Sequence, residues 1–554
     1  MCLKDPGSNL IRTPPLFHRL RCVFSYSNIK SRKCFVNFKV LSTCNSSCIE
    51  NLVSGCYYGG HSECKRSFGY WARQNVPGPR PWPFLGNIPL FMTKNIPFHE
   101  IDLSLWKKYG RTFGMYEPSF NVLMISDPED IKKVYVKDFE VFADRRPIYS
   151  RKSDTFTQNF MFSATFHKWN AIRNVVSPTF SGSKLRLMAS NVVQCSEELA
   201  DCLYEIAKTE NKFDAKKIFG SFSLDVIAIT AFRIKLTSLK DPENEFIKNA
   251  RKVFSPEATY VRVLQAFFPR LGQLLGLQLV EPSICNFFAN VIRKVMVLRK
   301  GEDRPENDFL GLLKESMEEG AFDNPKKSEI PNSNDTSNKN CDKNSSKLMS
   351  EEMVLAQCIL FFAAGYDTTS TTLSMSAYNL AVHPECQDKL IEEVDKAVQK
   401  HGNLTYEVVS EMPYLTAVIK ETLRMFAPPV RHERVALQDY YLRDIFIKKG
   451  TLVCIPVHTV HHDPDIWPNP NAFDPKRFLG NQDDINPFTY VPFGVGRRSC
   501  VAIRFAMMEL KVALATVLTK VKFCKVPSTS VPPIFMLRAA VVQPQNVIVG
   551  VETR

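Results

Sequence analysis

The chain has 554 residues, is 44% hydrophobic and 23% charged, and carries a formal net charge of +14. That apolar content supports a large buried core and excludes a chain that stays unfolded for want of one. The basic excess suits acidic lipid or protein surfaces, and no nucleic-acid partner is expected.

Residues 1–75 read as an atypical, poorly ordered N-terminal extension. Cys2, Cys22, Cys34, Cys44, Cys48, Cys56 and Cys64 crowd into it, but their spacings fit no zinc pattern and no signal-peptide h-region precedes them. The remaining cysteines are scattered, as in a reducing compartment. No run here approaches the roughly 20 apolar residues of a membrane anchor. Lys4, Arg12, Arg19, Arg21, Lys30, Arg32, Lys33 and Lys39 face only Asp5 and Glu50 in the first fifty positions, and such an acid-poor pattern also describes a mitochondrial transit peptide.

Val76 opens the segment VPGPRPWPFLGN, whose proline and glycine punctuation predicts a rigid hinge. A strand is expected over Asn121–Ser126, and Trp169 and Arg173 in FHKWNAIRNVVSPTF share one helix face. Leu224–Phe232 and Cys285–Leu298 read as helices. Between them, Phe267, Phe268, Leu274, Leu275 and Leu277 alternate with Arg262 and Arg270, which suits either a bilayer interface or a core helix. Asn324–Lys347 is rich in Asn, Ser and Lys and predicts a flexible loop.

A long helix is expected to start at Glu351 and Glu352, which suit its first turn, and to end at His383 before Pro384. Gly365 and Asp367 interrupt its apolar run before it reaches membrane-spanning length. Burying Asp367, Thr368 and Thr369 costs free energy. The threonine hydroxyls can bond back to carbonyls one turn earlier and open the helix, with Gly365 making room. Phe361, Phe362, Ala363 and Ala364, with Pro429 and Val430 further on, supply apolar pocket walls.

A helix is predicted over Leu404–Phe426, with Glu421 and Arg424 at salt-bridge spacing. Strands are predicted over Leu452–Pro456 and Val547–Val551. His461 and His462 are adjacent and cannot share a helix face, which argues against a metal role. The outcome is a mainly α fold with a small β portion, one large domain over residues 76–554, and no internal repeat.

The stretch PFGVGRRSC carries the most chemistry. It delivers Cys500 to the start of the apolar run VAIRFAMMELKVALATVL. A lone cysteine before a helix is usually a small buried hydrophobe, but this spacing adds Phe493 as an aromatic lid, Gly494 and Gly496 as flexible points and Arg498 as a cation for a haem propionate. A thiolate at Cys500 would face the positive end of the following helix beside Arg497 and Arg498. Such a ligand pushes electron density onto haem iron and promotes O–O cleavage.

On these motifs the chain, from Val76 to its end, resembles the cytochrome P450 family. The resemblance implies that Glu421, Arg424 and Arg477, the last from FDPKRF, form a Glu-Arg-Arg triad. Arg145 in VFADRRPIY, Trp169, Arg173 and Arg434 in RHERV match propionate-binding positions. Asp367 and Thr368 in AAGYDTT match an acid–alcohol pair that relays protons to bound oxygen. Haem b is the implied cofactor, with NADPH acting through a cytochrome reductase and cytochrome b5 as a further partner. Lys168, Arg504 and Lys511 would suit an acidic redox partner. The implied reaction inserts one oxygen atom into a lipophilic xenobiotic, steroid or fatty-acid-like molecule, at the cytoplasmic face of the endoplasmic reticulum or, from the basic N-terminus, in the mitochondrion. SPTFSGSKL, AAGYDTTSTTL and PPIFMLRAAVVQP are most similar to the drug-metabolising clan that includes thromboxane synthase. A reductase-independent peroxide isomerase or dehydratase of the same fold and a non-catalytic haem binder remain as alternatives. The chain departs from the family pattern at Ala502, where glycine is usual, at Arg497, where proline is usual, and at Lys476, where glutamate is common.

Overall fold

The computed structural model describes residues 68–554 apart from 94, 148–155, 242, 254–255, 269–271, 273–274, 279, 300–307, 319–348, 481–484 and 540. Residues 1–67 of the expected extension and the loop 324–347 lie outside the described residues, as do Arg270 and Leu274. Residues 68–75, the end of the stretch expected to be poorly ordered, are structured: Ala72–Gln74 form a 3-10 helix, and Trp71 is buried with its Nε1–H donating to the Met115 carbonyl at 2.9 Å. From Tyr70 onward the chain forms one compact unit.

Helix α1 (Phe98–Tyr109) buries Ile101 and Leu105 against the hairpin of β1 (Thr112–Tyr116) and β2 (Asn121–Ile125), which pair antiparallel from Thr112↔Ile125 to Tyr116↔Asn121. Helix α2 (Phe166–Val176) precedes α3 (Gly182–Thr209), which buries Leu185, Met188, Val192, Leu199 and Leu203 on one stripe. After the short strand β3 (Lys212–Asp214), the Asp214 side chain caps α4 (Ala215–Phe232) by accepting from the N–H groups of Lys216 and Lys217. Helices α5 (Glu245–Val253), α6 (Pro256–Phe267), α7 (Pro282–Leu298) and α8 (Phe309–Glu318) follow. The helix α9 (Glu351–Val382) is 32 residues long, capped by Ser350 and buried on almost every side through its second half.

Pro384 starts α10 (Pro384–His401). The predicted helix 404–426 divides in two, because Thr405 caps α11 (Tyr406–Ser410) and the Met412–Pro413 step holds the chain extended before α12 (Pro413–Met425). Strands β4 (Arg431–Val435) and β5 (Leu452–Pro456), the short helix α13 (Val457–His461), helix α14 (Ile503–Leu518) and strands β6 (Val521–Cys524) and β7 (Ile548–Thr553) complete the elements used below. The strand expected at 121–126 ends one residue early, and that expected at 547–551 starts one residue late and runs further.

One sheet has the order β1–β2–β5–β4, with β2 and β5 parallel and β4 and β5 antiparallel. A second joins β3, β7 and β6. Helix α9 packs along α4, and α14 packs along α3. Phe267 at the end of α6 is buried and belongs to the interior, so its part of the amphipathic stretch is core rather than bilayer interface, whereas Leu275 is exposed. Among the described residues no helix is long and apolar enough to cross a membrane.

Candidate functional site

The loop before α14 is held by its backbone. The N–H of Cys500 donates to the Phe493 carbonyl at 2.9 Å, and that of Ser499 to Gly496 at 3.0 Å. Gly494 and Gly496 have φ of 74° and 72°, in the left-handed region that glycine enters without cost. At Gly496 a Cβ would lie 2.2 Å from the Tyr135 carbonyl oxygen, so this turn needs glycine for both conformation and space.

Behind the loop sits a buried polar network. Arg424 forks onto Glu421 with two 2.8 Å bonds, both side chains being fully buried, while Arg477 Nε lies 3.4 Å from the same carboxylate. Arg424 also donates to the His461 and Pro470 carbonyls. His461 carries the network into the loop: its Nε2 accepts from the N–H of Val491 at 2.8 Å, so Nδ1 bears the proton and donates to the Arg424 carbonyl at 3.0 Å. His461 is therefore a structural linker that adjacency to His462 could not reveal, and His432 adds a contact at 2.9 Å to the Val491 carbonyl.

Cys500 keeps an exposed face, yet protein crowds the rest of it and pushes its thiol up from the ordinary value. The Ala502 backbone N–H, Arg173 and Arg145 pull the other way. The expected helpers are thus corrected. Arg497 turns out to pair with Glu140 at 2.9 Å and to lie over the Phe139 and Phe166 rings, where proline could not reach. Arg498 stacks on Trp169 with its guanidinium carbon 4.6 Å from the ring centroid. Arg173, placed on α2 one turn from Trp169, donates to the Ser499 carbonyl at 2.9 Å and so supports the residue next to the ligand position.

Arg145, Arg434 and Arg498 converge from three segments. Arg145 donates to the Arg498 carbonyl at 3.0 Å, and Arg434 lies over Tyr135. Arg434 Nε and Arg498 Nε and Nη1 are buried without a hydrogen-bond partner among the described residues. Burial, reinforced by Arg434 and Arg498, pulls Arg145 down to about 9, and burial with Arg434 pulls Arg498 down to about 10. Buried cations with unsatisfied donors favour a bound anion of more than one charge. The two carboxylates of haem b fit that demand, with Cys500 as the residue that would hold its iron.

On the other side stands α9. Ala364 and Thr368 are its exposed residues in the middle stretch, and Thr368 Oγ1 donates back to the Ala364 carbonyl at 2.7 Å. Ser370, Thr372 and Ser374 make the same backward bond, yet the helix remains continuous. The expected opening is absent from it. Gly365 does not make room there either: a Cβ would meet Ile227 Cδ1 at 2.2 Å, so it allows α4 to approach.

Asp367 points away from Thr368. Its carboxylate is 2% exposed in a salt bridge with Lys216 Nζ at 2.9 Å, and Gln543 Nε2 reaches its other oxygen at 3.4 Å. Lys216 is further held by Ser370 and Thr371. The expected acid–alcohol pair is adjacent in sequence but is not brought together. Among the expected pocket walls, Phe362 is buried and stacks on Phe232 at 4.3 Å, and it lines an apolar cavity together with Ala363. Phe361 packs on Phe309 at 4.2 Å and Phe180 at 5.8 Å. Ala363 lines an apolar cavity with Leu360, Phe160, Val253 and Phe288. Pro429 bridges to Val541, and Val430 is buried. On the loop side, Phe493 lines a separate cleft with Lys420, Tyr490 and Ile503.

The family model described as Cytochrome P450 matches residues 76–551. The chain is 34% identical to Cytochrome P450 3A29 of Sus scrofa over 507 residues, covering 90% of this chain and 94% of that relative. It is likewise 34% identical to Cytochrome P450 3A5 of Homo sapiens over 473 residues, covering 84% and 89%, and to Cytochrome P450 3A16 of Mus musculus over 493 residues, covering 87% and 92%.

Proposed function

The chain belongs to the cytochrome P450 family, and from that premise we propose how its own residues serve the reaction. It is a haem-thiolate monooxygenase that inserts one oxygen atom from O2 into a lipophilic small molecule, with electrons from an NADPH-dependent reductase. Haem b, which the Cys500 thiolate would hold, would supply the oxygen activation when bound.

Cys500 holds the iron. Arg145, Arg434 and Arg498 take the propionates, Trp169 backs Arg498 as a stacking platform, and Arg173 fixes the Ser499 carbonyl so that the sulfur keeps its aim. Glu421, Arg424 and Arg477 lock the core beneath the loop through His461. Phe493 shields the sulfur from water on the cleft side. Thr368 holds its hydroxyl on the Ala364 carbonyl at the exposed middle of α9, where it would be available for proton relay, and Asp367 would have to leave Lys216 to join it. Ala363, Ala364, Pro429 and Val430 bound an apolar substrate space.

The single observation that carries this reading is the convergence of Arg145, Arg434 and Arg498 from three segments, with Arg434 Nε and Arg498 Nε and Nη1 buried without a hydrogen-bond partner among the described residues, beside the loop whose backbone holds Cys500. Membrane contact is supported by the contiguous exposed Trp82, Phe84 and Leu85, next to Arg80, which suit an interface. Residence at the endoplasmic reticulum and a role for cytochrome b5 rest on the family resemblance.

The test is turnover of lipophilic probes by the purified holoprotein. NADPH and reductase must both be required for oxygenated product. Peroxide isomerisation without either, or a haem spectrum with no product from any probe, would replace the monooxygenase reading by one of the two alternatives.

A further inference from the structure

Glu509 lies on α14, the helix that follows Cys500, and its side chain is 1% exposed. No lysine, arginine or histidine pairs with it among the described residues; its partners are hydroxyls from two other helices. Ser223 of α4 has its Oγ 3.0 Å from Glu509 Oε1, and Thr369 of α9 donates to Oε2 at 3.3 Å. The same Ser223 Oγ lies 3.1 Å from the Gly365 carbonyl oxygen.

A serine hydroxyl has one proton to give. The Gly365 carbonyl can only accept, so when Ser223 donates to it, the 3.0 Å contact with Glu509 is a hydrogen bond only if the carboxyl donates. That requires a neutral acid, and an ionised carboxylate buried without a cation would be strongly disfavoured. We propose that Glu509 is a positioning residue: as a neutral acid it donates to Ser223, which donates to the Gly365 carbonyl, tying the helix that follows Cys500 to the turn of α9 that presents Thr368.

The surroundings agree. Burial pushes the Glu509 carboxyl up to about 8. The titratable groups facing this region are themselves neutral or committed elsewhere. Cys195 of α3 is pushed up to about 12 by burial, with Asp225, Glu198 and Glu509 adding to it. Asp225 of α4 is raised to about 6 by burial while its carboxylate accepts from the Ser238 N–H. Asp367 of α9 is engaged by Lys216. As the pH rises past the Glu509 value, Ser223 turns its proton to the carboxylate and releases the Gly365 carbonyl. The brace therefore loosens in alkaline solution.

The proposal rests on the monooxygenase reading only for the role of Thr368, and two readouts keep the two separable. The first is the infrared difference between the full-length holoprotein and Glu509→Gln. A carbonyl stretch of a protonated carboxylic acid is expected at pH 6.5 and is lost by pH 9.5; a carboxylate signal already present at pH 6.5 overturns the proposal whether or not the family reading holds. The second is the stretching frequency of carbon monoxide bound to the reduced haem, which reports the polar groups beside the ligand. It should shift between pH 6.5 and 9.5 in the wild type and stay fixed in Glu509→Gln. Ser223→Ala should show the wild-type alkaline frequency at both pH values. A wild-type frequency indifferent to pH, or the same pH shift persisting in Glu509→Gln, overturns the positioning role.

Discussion

The loop side and the helix side of the site are built by different means. Around Cys500 the geometry is set by backbone: two left-handed glycines, a chain of carbonyl contacts and a buried Glu421–Arg424 pair linked through His461. Across from it, α9 is an unbroken helix whose function depends on which way individual side chains turn, and Asp367 and Thr368 turn to different neighbours. On the proposed reading, the site is rigid where it would hold its cofactor and adjustable where it would move protons.

The largest effect expected from disturbing this contrast lies in the buried network. Glu421→Ala leaves Arg424 uncompensated with no exposed surface, at a cost of about 3–5 kcal/mol. Little folded haem protein should be recovered, as judged by absorbance of the purified fraction. Gly496→Ala should cost about 1–3 kcal/mol through backbone strain and overpacking, since its Cβ would meet the Tyr135 carbonyl at 2.2 Å. Equilibrium unfolding and haem retention would measure it. An equally large loss from Gly182→Ala, where nothing lies near, would break the argument.

Acid offers a third probe of the rigid side. His99 meets His458 edge-on at 4.8 Å, and His458 lies against His462 at 3.8 Å. Burial lowers His99 to about 4 and His462 to about 3, with His458 also held well down. Each is neutral in the fold and gains a proton on unfolding below the ordinary 6.5. Their contribution is therefore full above that value and falls as the pH drops through it, by up to about 1.4 kcal/mol per pH unit for each histidine. His458→Phe should flatten the decline of melting temperature between pH 7 and pH 5. The smallest stability effect belongs to the adjustable side. Thr368 is exposed, so Thr368→Ala should move stability by no more than about 0.5 kcal/mol while lowering product formed per NADPH consumed. A large loss of stability there would erase the contrast.

The same contrast explains what the sequence disclosed. Gly494, Gly496, Cys500 and the Glu421–Arg424 spacing are legible because backbone conformation and one-turn helix geometry admit few residues. The extent of α9 was readable from its Glu-rich start and the His383–Pro384 step. Side-chain direction was not: Arg497 and Arg498 face Glu140 and Trp169 rather than the sulfur, Gly365 serves packing with Ile227, and Asp367 faces Lys216, 151 positions away in the chain. Such partners depend on tertiary approach, which local spacing does not encode. The division of 404–426 at Met412–Pro413 was signalled by Pro413 itself but masked by the apolar periodicity on both sides.

The central claim is that the sulfur of Cys500 is the iron ligand, and the reduced carbon monoxide difference spectrum of the wild type beside Cys500→Ser tests it most directly. A band shifted far to long wavelength in the wild type and missing from the serine variant is the predicted result. The same long-wavelength band in both proteins, or haem bound by the wild type without it, would contradict the account.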